Sequence, residues 1–266
     1  MKRKRKTQTL RPMRANSGIE KEYRKKLENL VDEMHNSVLY FLKAEYNRNE
    51  ARIVGDASPA YNLRKSLEAL SKRWNLAFSE KAETIVKWFV TRASKTSQAA
   101  LKQALKDAGI TVDLKLSRSQ KDALQAIIEA NISLIKSIST EYFNDVFELT
   151  QRSVMAGRDI GYLTEELAKS HGITRRRASF IARDQNNKAT DALARVQAAD
   201  LGITEGIWVH VPGKKYSRAS HMKMNGQRFN LAEGCYDPEV KRKVHCGELP
   251  GCNCLYKPII PGLDEK

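Results

Sequence analysis

VQAADLGITEGIWVHVPG, residues 196–213, changes its periodicity in mid-course. Before it, Ala178, Ile181, Ala182, Ala189, Ala192, Leu193 and Val196 recur at three- and four-residue steps, the spacing of one helix face. Gly202 is a stop signal for that helix. Ile207-Trp208-Val209-His210-Val211 is a β-type run, and Pro212-Gly213 is a turn signal. From there to the end, Gly226, Gly234, Pro238, Gly247, Pro250, Gly251 and Pro258 interrupt the chain too often for long helices. The stretch therefore divides an α+β protein into a mainly α-helical body, residues 17–201, and a small β-rich C-terminal module, residues 202–266. A module of that size has a modest core and gains from a staple.

Upstream the helical pattern is sustained. Leu27, Leu30, Val31, Met34, Val38 and Leu42 share a face, with His35 beside the stripe as a packing or surface residue. Gly55 to Pro59 breaks the pattern, and Pro59 suits a new helix start. A second helical region over about 60–108 closes at Gly109. Ser117 or Ser119 can cap a third helix, which carries Leu124, Ile128, Ile132, Ile135, Ile138, Tyr142, Val146 and Leu149. Gly157 and Gly161 end it. A short helix capped by Thr164 is expected up to Ser170, and Thr174 is expected to open a separate helix to about residue 200.

Lys and Arg number 47 against 31 Asp and Glu, a formal net charge of +16. Such an excess favours a polyanionic partner, because each cation placed on a phosphate releases a counterion. Residues 1–16 carry seven Lys or Arg and no acid, and read as a flexible arm whose Lys2, Arg3, Lys4 and Arg5 are candidate phosphate contacts. Arg175, Arg176, Arg177 and Arg183 would fall in the first turns of a helix opened by Thr174. Cations are unfavourable there, which points to an acidic partner or a phosphate, with an ordinary solvated face as the alternative. No apolar run is long enough to span a membrane, and no apolar segment follows the basic start to make a secretory signal. A reducing cytosol is the expected setting, where thiols stay free or bind metal.

All four cysteines, Cys235, Cys246, Cys252 and Cys254, fall in the last 32 residues, together with His221 and His245. Thiolate and imidazole are the ligands that tetrahedral zinc prefers. In a strand Cys252 and Cys254 would point to one side and reach one ion. The candidate zinc ligands are therefore the four cysteines, with His221 or His245 replacing one. Paired C-x-x-C motifs are absent, so buried free thiols, a disulfide in a mature extracellular particle, and redox chemistry stay open beside zinc.

Arg218, His221, Asn225 and Gly226 form a second cluster. A histidine near an asparagine occurs in nucleases that use a histidine base. Here the carboxylates at hand, Asp237 and Glu239, are expected in a loop, and Asn225-Gly226 reads more simply as a tight hairpin turn. No P-loop, dinucleotide-binding glycine pattern, nucleophile elbow or H-E-x-x-H motif occurs, so an enzyme is not expected.

Several pieces, taken in order, resemble one family. Ala178-Ser-Phe-Ile-Ala-Arg-Asp184 looks like its "IART-x" helix, and Gly202-Ile203 to Trp208 resembles its "G…W" entry into a β region. Arg218-x-x-His221 with Asn225-Gly226 is similar to its "R-x-x-H-x-x-L-x-G" signature, and Gly251-Cys252-Asn253-Cys254 with Pro258 to its "NCRC…P" ending. The family is the phage head morphogenesis family of Mu F-like minor head proteins, and the likeness covers about 80 residues, from 178 to 260. Asn253 stands where the family often has Arg, Asp184 where it has Thr, and Cys235, Cys246 and His245 are additional. The resemblance implies a minor capsid protein of the virion interior, assembled in the host cytoplasm. Its implied partners are the portal protein, capsid or scaffold proteins and double-stranded DNA, with no membrane. A zinc-containing nucleic-acid-binding protein or nuclease-like module is the alternative.

Overall fold

The structure, a computed structural model, describes residues 7–50, 59–213 and 217–264. Lys2, Arg3, Lys4 and Arg5 lie outside the described residues. The fold is α+β. Four long helices, α1 (Ser17–Glu50), α2 (Pro59–Asp107), α3 (Arg118–Met155) and α4 (Ile160–Asp200), precede most of the strands. The short strand β1 (Thr7–Thr9) comes before them. After α4 follow β2 (Glu205–Val209), α5 (Ala219–Met224), β3 (Arg228–Asn230), β4 (Cys235–Asp237), β5 (Arg242–Val244) and β6 (Leu255–Asp264). The compact units do not follow the expected division in chain order. One comprises Met1–Glu20, Trp88–Ile128 and Arg183–Lys266, and the other Lys21–Lys87 and Glu129–Ala182.

Among the described residues, the second of these units holds helix segments and the turn before α4, and no strand. The α1 stripe is its core: Leu27, Leu30, Val31, Met34, Val38 and Leu42 are all buried. Ile135, Ile138, Tyr142, Val146 and Leu149 from α3 and Leu63, Leu67, Phe78 and Val86 from α2 are buried too, as the spacing requires. Several polar groups within this core are paired. Tyr23 donates to Asn131 at 2.9 Å, Tyr46 to Ser153 at 2.8 Å, and Trp74 Nε1 to Ser37 at 3.1 Å. His35 is buried, 2.6 Å from the Tyr142 hydroxyl through Nδ1, and stacks on His171 with ring centroids 4.0 Å apart. His171 in turn meets Asp32 at 2.8 Å.

Helix α4 corrects the expectation of two helices. It begins at Ile160, where Asp159 accepts the Tyr162 N–H through its side chain at 2.9 Å, and runs unbroken for 41 residues. Thr164 and Thr174 do not act as caps: each hydroxyl donates backwards within the helix, to Ile160 at 2.7 Å and to Ser170 at 3.0 Å. Arg175, Arg176 and Arg177 therefore lie about four turns from the N-terminus, where the helix dipole imposes no cost. The acidic partners of two of them belong to their own unit. Arg175 pairs with Asp32 and Glu28, and Arg177 with Glu141 and Ser137. Arg176 is exposed.

The other unit holds the β structure. Its main sheet has the order β1-β6-β2-β3, antiparallel throughout, and β4 pairs with β5 in a separate ladder. Within the expected flexible arm over 1–16, the described residues from Thr7 on are held: β1 pairs with β6, and Leu10 and Met13 are buried in the same core as Trp208, Phe229 and Tyr256. Two apolar side chains spaced three apart give this segment something to bury, which its charge count conceals. Asn16 caps α1 through its side-chain oxygen, on Gly18 and Ile19, and Ser117 caps α3 on Gln120 at 3.1 Å. Arg183 is exposed on the α4 segment of this unit.

Burial holds the His35 pKa down at about 4, against an ordinary 6.5, with the charge of His171 adding to the effect and Asp32 opposing it. The unfolded chain therefore binds a proton between those two values that the folded chain does not. Stability should be complete above pH 6.5 and fall by up to ~3 kcal/mol as pH drops toward 4, because each tenfold difference in proton affinity is worth about 1.4 kcal/mol. Urea unfolding from pH 7 to 4 checks this: His35→Gln should flatten the decline, and equal slopes for variant and wild type refute it.

Candidate metal centre

Helix α5 carries the central side chain. Arg218 precedes it and donates to the Pro250 carbonyl at 3.0 Å, while Ser220 N–H at its first turn donates to Glu239 at 2.9 Å. His221 is thereby turned inward and is 2% exposed. The partner of its Nε2 is Asp237, 3.2 Å away. Asp237 is not the loop carboxylate expected from the sequence. It lies on β4, where Cys235 and Asp237 face inward and Tyr236 outward, and it is fully buried. Its second oxygen accepts the Glu239 N–H at 2.9 Å. A buried carboxylate at Nε2 favours, in the neutral ring, the tautomer with its proton there, so that Nδ1 is the nitrogen available to a metal.

That nitrogen faces two sulfurs. His221 Nδ1 is 3.4 Å from Cys252 Sγ and 3.6 Å from Cys254 Sγ. The three donor atoms lie within 4.8 Å of one another, and all three residues are buried. Strand alternation is not what aligns the cysteines, since β6 begins only at Leu255. They sit in a turn closed by the Cys252 N–H on Leu249 O at 3.0 Å, and the chain folds back so that the Cys254 N–H donates to Cys252 Sγ at 3.4 Å. The Cys254 thiol beside it holds the Cys252 pKa well down against the effect of burial, with His221 helping, and the Cys254 pKa is pushed up in return. Burial alone would lower the His221 pKa, but Cys252 and Asp237 carry it above its ordinary value.

Two buried thiols beside an imidazole suit a soft divalent metal. A tetrahedral ion with sulfur at about 2.3 Å and imidazole nitrogen at about 2.0–2.1 Å sets sulfur–nitrogen edges of about 3.5 Å. The observed edges match that length. The same separations serve S–H···N hydrogen bonds when no ion is bound. Cys252, His221 and Asp237 also stand in the order of a nucleophile, a base and its orienting carboxylate. Cys252, however, is 4% exposed and its sulfur already accepts an N–H, so it presents no open face to a substrate.

The six ligand candidates do not converge on one point. The Cys246 thiol donates to Leu255 O at 3.0 Å, and burial pushes its pKa up, so it packs as a thiol. Cys235 approaches Gln227 at 3.6 Å, and the His245 ring is held largely uncharged by burial, with a pKa of about 4. All four cysteines are free. A residue outside the candidates borders the cluster instead: His210 Nδ1 is 3.5 Å from Cys254 Sγ. In the sequence it belongs to the β-type run, and only its position directly after β2 marks it. Asn225 and Gly226 end α5 rather than joining two strands directly. Gly226 takes a positive φ of 82°, and the Asn225 side chain accepts the His210 N–H at 2.9 Å.

Helix α4 holds the cysteine turn. Asp184 accepts the Gly251 N–H at 2.7 Å, and Asn187 donates to Asn253 Oδ1 at 2.9 Å. These pieces, from the α4 segment through Trp208 and His221 to Cys254, fall within one stretch that matches a family model. Residues 144–256 match the family described as Phage Mu protein F like protein. A Haemophilus influenzae protein named only as "Uncharacterized protein" is 27% identical over 263 residues, covering 96% of this chain and 56% of its own length. The chain thus spans about half the length of that curated relative. No solved structure matches.

Within the Mu protein F-like segment, the two departures from the expected motifs, Asp184 and Asn253, meet at one place. Both serve the contact between α4 and the turn carrying Cys252 and Cys254. Asp184→Ala should cost about 2 kcal/mol, because it removes a carboxylate acceptor from a part-buried N–H. Chemical denaturation of the two proteins measures the difference, and a change below ~0.5 kcal/mol shows that the clamp is not used.

Proposed function

We propose that this chain is a phage minor head protein that works by binding. Its partners are the portal and capsid or scaffold proteins inside the assembling head, and packaged double-stranded DNA. The observation that carries the reading is the Mu protein F-like match over 144–256, with its motifs brought together around His221, Cys252 and Cys254. A net charge of +16 fits proximity to DNA. For phosphate contact the reading draws on the exposed Arg176 and Arg183 and on Lys2, Arg3, Lys4 and Arg5 of the basic start. Arg175 and Arg177, part of the same expectation, each have a carboxylate partner within their own unit. Among the described residues, no helix is long and apolar enough to cross a membrane. The competing nuclease-like reading needs His221 to reach a phosphate, and that residue is 2% exposed.

The test is cofractionation. The chain should sediment with portal protein and procapsids and remain in purified heads. Its absence from purified heads would overturn the proposal, and divalent-metal-dependent plasmid cleavage lost in His221→Ala would put the nuclease in its place.

The cluster of His221, Cys252 and Cys254 takes zinc as its cofactor in this reading, as a staple of the C-terminal module. Zinc supplies cohesion there, while Asp237 holds the His221 ring and the Cys254 N–H supports the Cys252 sulfur. Elemental analysis should find one zinc per chain, lost together with several kcal/mol of stability in Cys252→Ser and Cys254→Ser. A metal-free wild type, with both variants equally stable, would remove zinc from the account.

A further inference from the structure

We infer that His210 is the fourth donor at this site, completing a closed Cys₂His₂ set with His221, Cys252 and Cys254. The inference rests on the metal reading given above and adds the residue that sets the character of the site. A catalytic metal keeps a position open for water or substrate, whereas a structural metal is enclosed by four protein donors.

Geometry supports His210 in three ways. Its Nδ1 lies 3.5 Å from Cys254 Sγ, the same sulfur–nitrogen edge that His221 makes with both sulfurs. Its backbone is held, because the N–H donates to Asn225 Oδ1 and Asn225 follows directly on the helix that carries His221. It is half-buried and borders a small polar pocket with Arg218, His221, Cys252 and Cys254. Two other candidate donors are engaged elsewhere: the Cys246 thiol donates to a backbone carbonyl, and Cys235 approaches Gln227.

The four donors come from three separate pieces of chain: the end of β2, helix α5, and the turn before β6. In the sheet, β2 and β6 are already neighbours, with Val209 opposite Leu255. An ion held by His210 and Cys254 would clamp that pair of strands at one end, and His221 would fasten α5 across it. Such an ion stabilises the folded module alone, since the unfolded chain holds no preformed site.

Cobalt(II) titration of the full-length chain separates this inference from the reading beneath it. Wild type should bind one ion with the strong d–d absorption of a tetrahedral site and a sulfur-to-cobalt charge-transfer band. His210→Ala should weaken binding at least about tenfold, since loss even of an outer partner typically costs about 10–100-fold, and should shift the d–d bands as water enters. His245→Ala should change neither. His210→Cys should raise the charge-transfer band in proportion to a third sulfur, which keeps the test decisive if the alanine variant folds poorly. If wild type binds no cobalt or zinc, the metal reading itself fails. If wild type binds but neither His210 variant alters affinity or spectrum, the metal reading stands and His210 is not its donor.

Discussion

The C-terminal module is organised around a single buried imidazole. His221 has one nitrogen against the Asp237 carboxylate and the other against the sulfurs of Cys252 and Cys254, and Trp208 packs edge-to-face on the ring with centroids 5.2 Å apart. A polar ring in that position is tolerable only if both nitrogens are satisfied, since an unpaired buried group costs about 1–3 kcal/mol. The surrounding elements can be understood as what that satisfaction requires. β4 alternates so that Asp237 points inward, the tie from Arg218 to Pro250 sets α5 against the cysteine turn, and the turn places two sulfurs on one side. None of these arrangements is demanded by hydrophobic burial alone, and all of them converge on the same two nitrogen atoms.

The long helices are legible in the sequence because their apolar spacing is redundant. Six residues of α1 repeat one face, and no single ambiguous position can obscure it. Breaks are harder to read, because they rest on one or two residues whose chemistry serves two purposes. Gly157, with φ of 83°, does end α3, and Gly109 and Gly202 likewise take positive φ after their helices. Gly161 is the second residue of α4, and Gly172 sits inside it, where a glycine costs about 1 kcal/mol that tertiary packing can outweigh. Thr174 is equally double-edged, since a hydroxyl that can cap a helix can also return its proton to the preceding turn. At the N-terminus the charge of residues 1–16 masks Leu10 and Met13, whose burial depends on a partner strand near the other end of the chain.

The site is half legible for a related reason. Cys252 and Cys254 are close in sequence and His221 carries a motif, so their meeting can be anticipated from composition. His210 cannot, because Val-His-Val reads first as a strand, and the side chain's place beside Cys254 follows from the register of β2 against β6. Asp237 is hidden in the same way by a strand only three residues long. For Cys235 and Cys246 the cysteine count overstates the ligand set. A thiol in a dry core is also a small apolar group with one weak donor, and Cys246 spends that donor on Leu255.

The basic residues show why charge counts need geometry before they speak of partners. Arg175 and Arg177 belong to a run of three arginines that looks uniform in sequence, yet the helical turn sends them to different surroundings. Two face carboxylates on neighbouring helices and one faces outward. Residues two apart on a helix are about 200° around its axis from one another, so a run of like charges cannot act as one patch. Within the run Arg176 is the exposed member, so what the run offers a polyanion is one separate cation rather than a concentrated reading head. That distribution suits contact with a phosphate backbone of any sequence, which is the demand that packaged DNA would make on a protein with the function proposed.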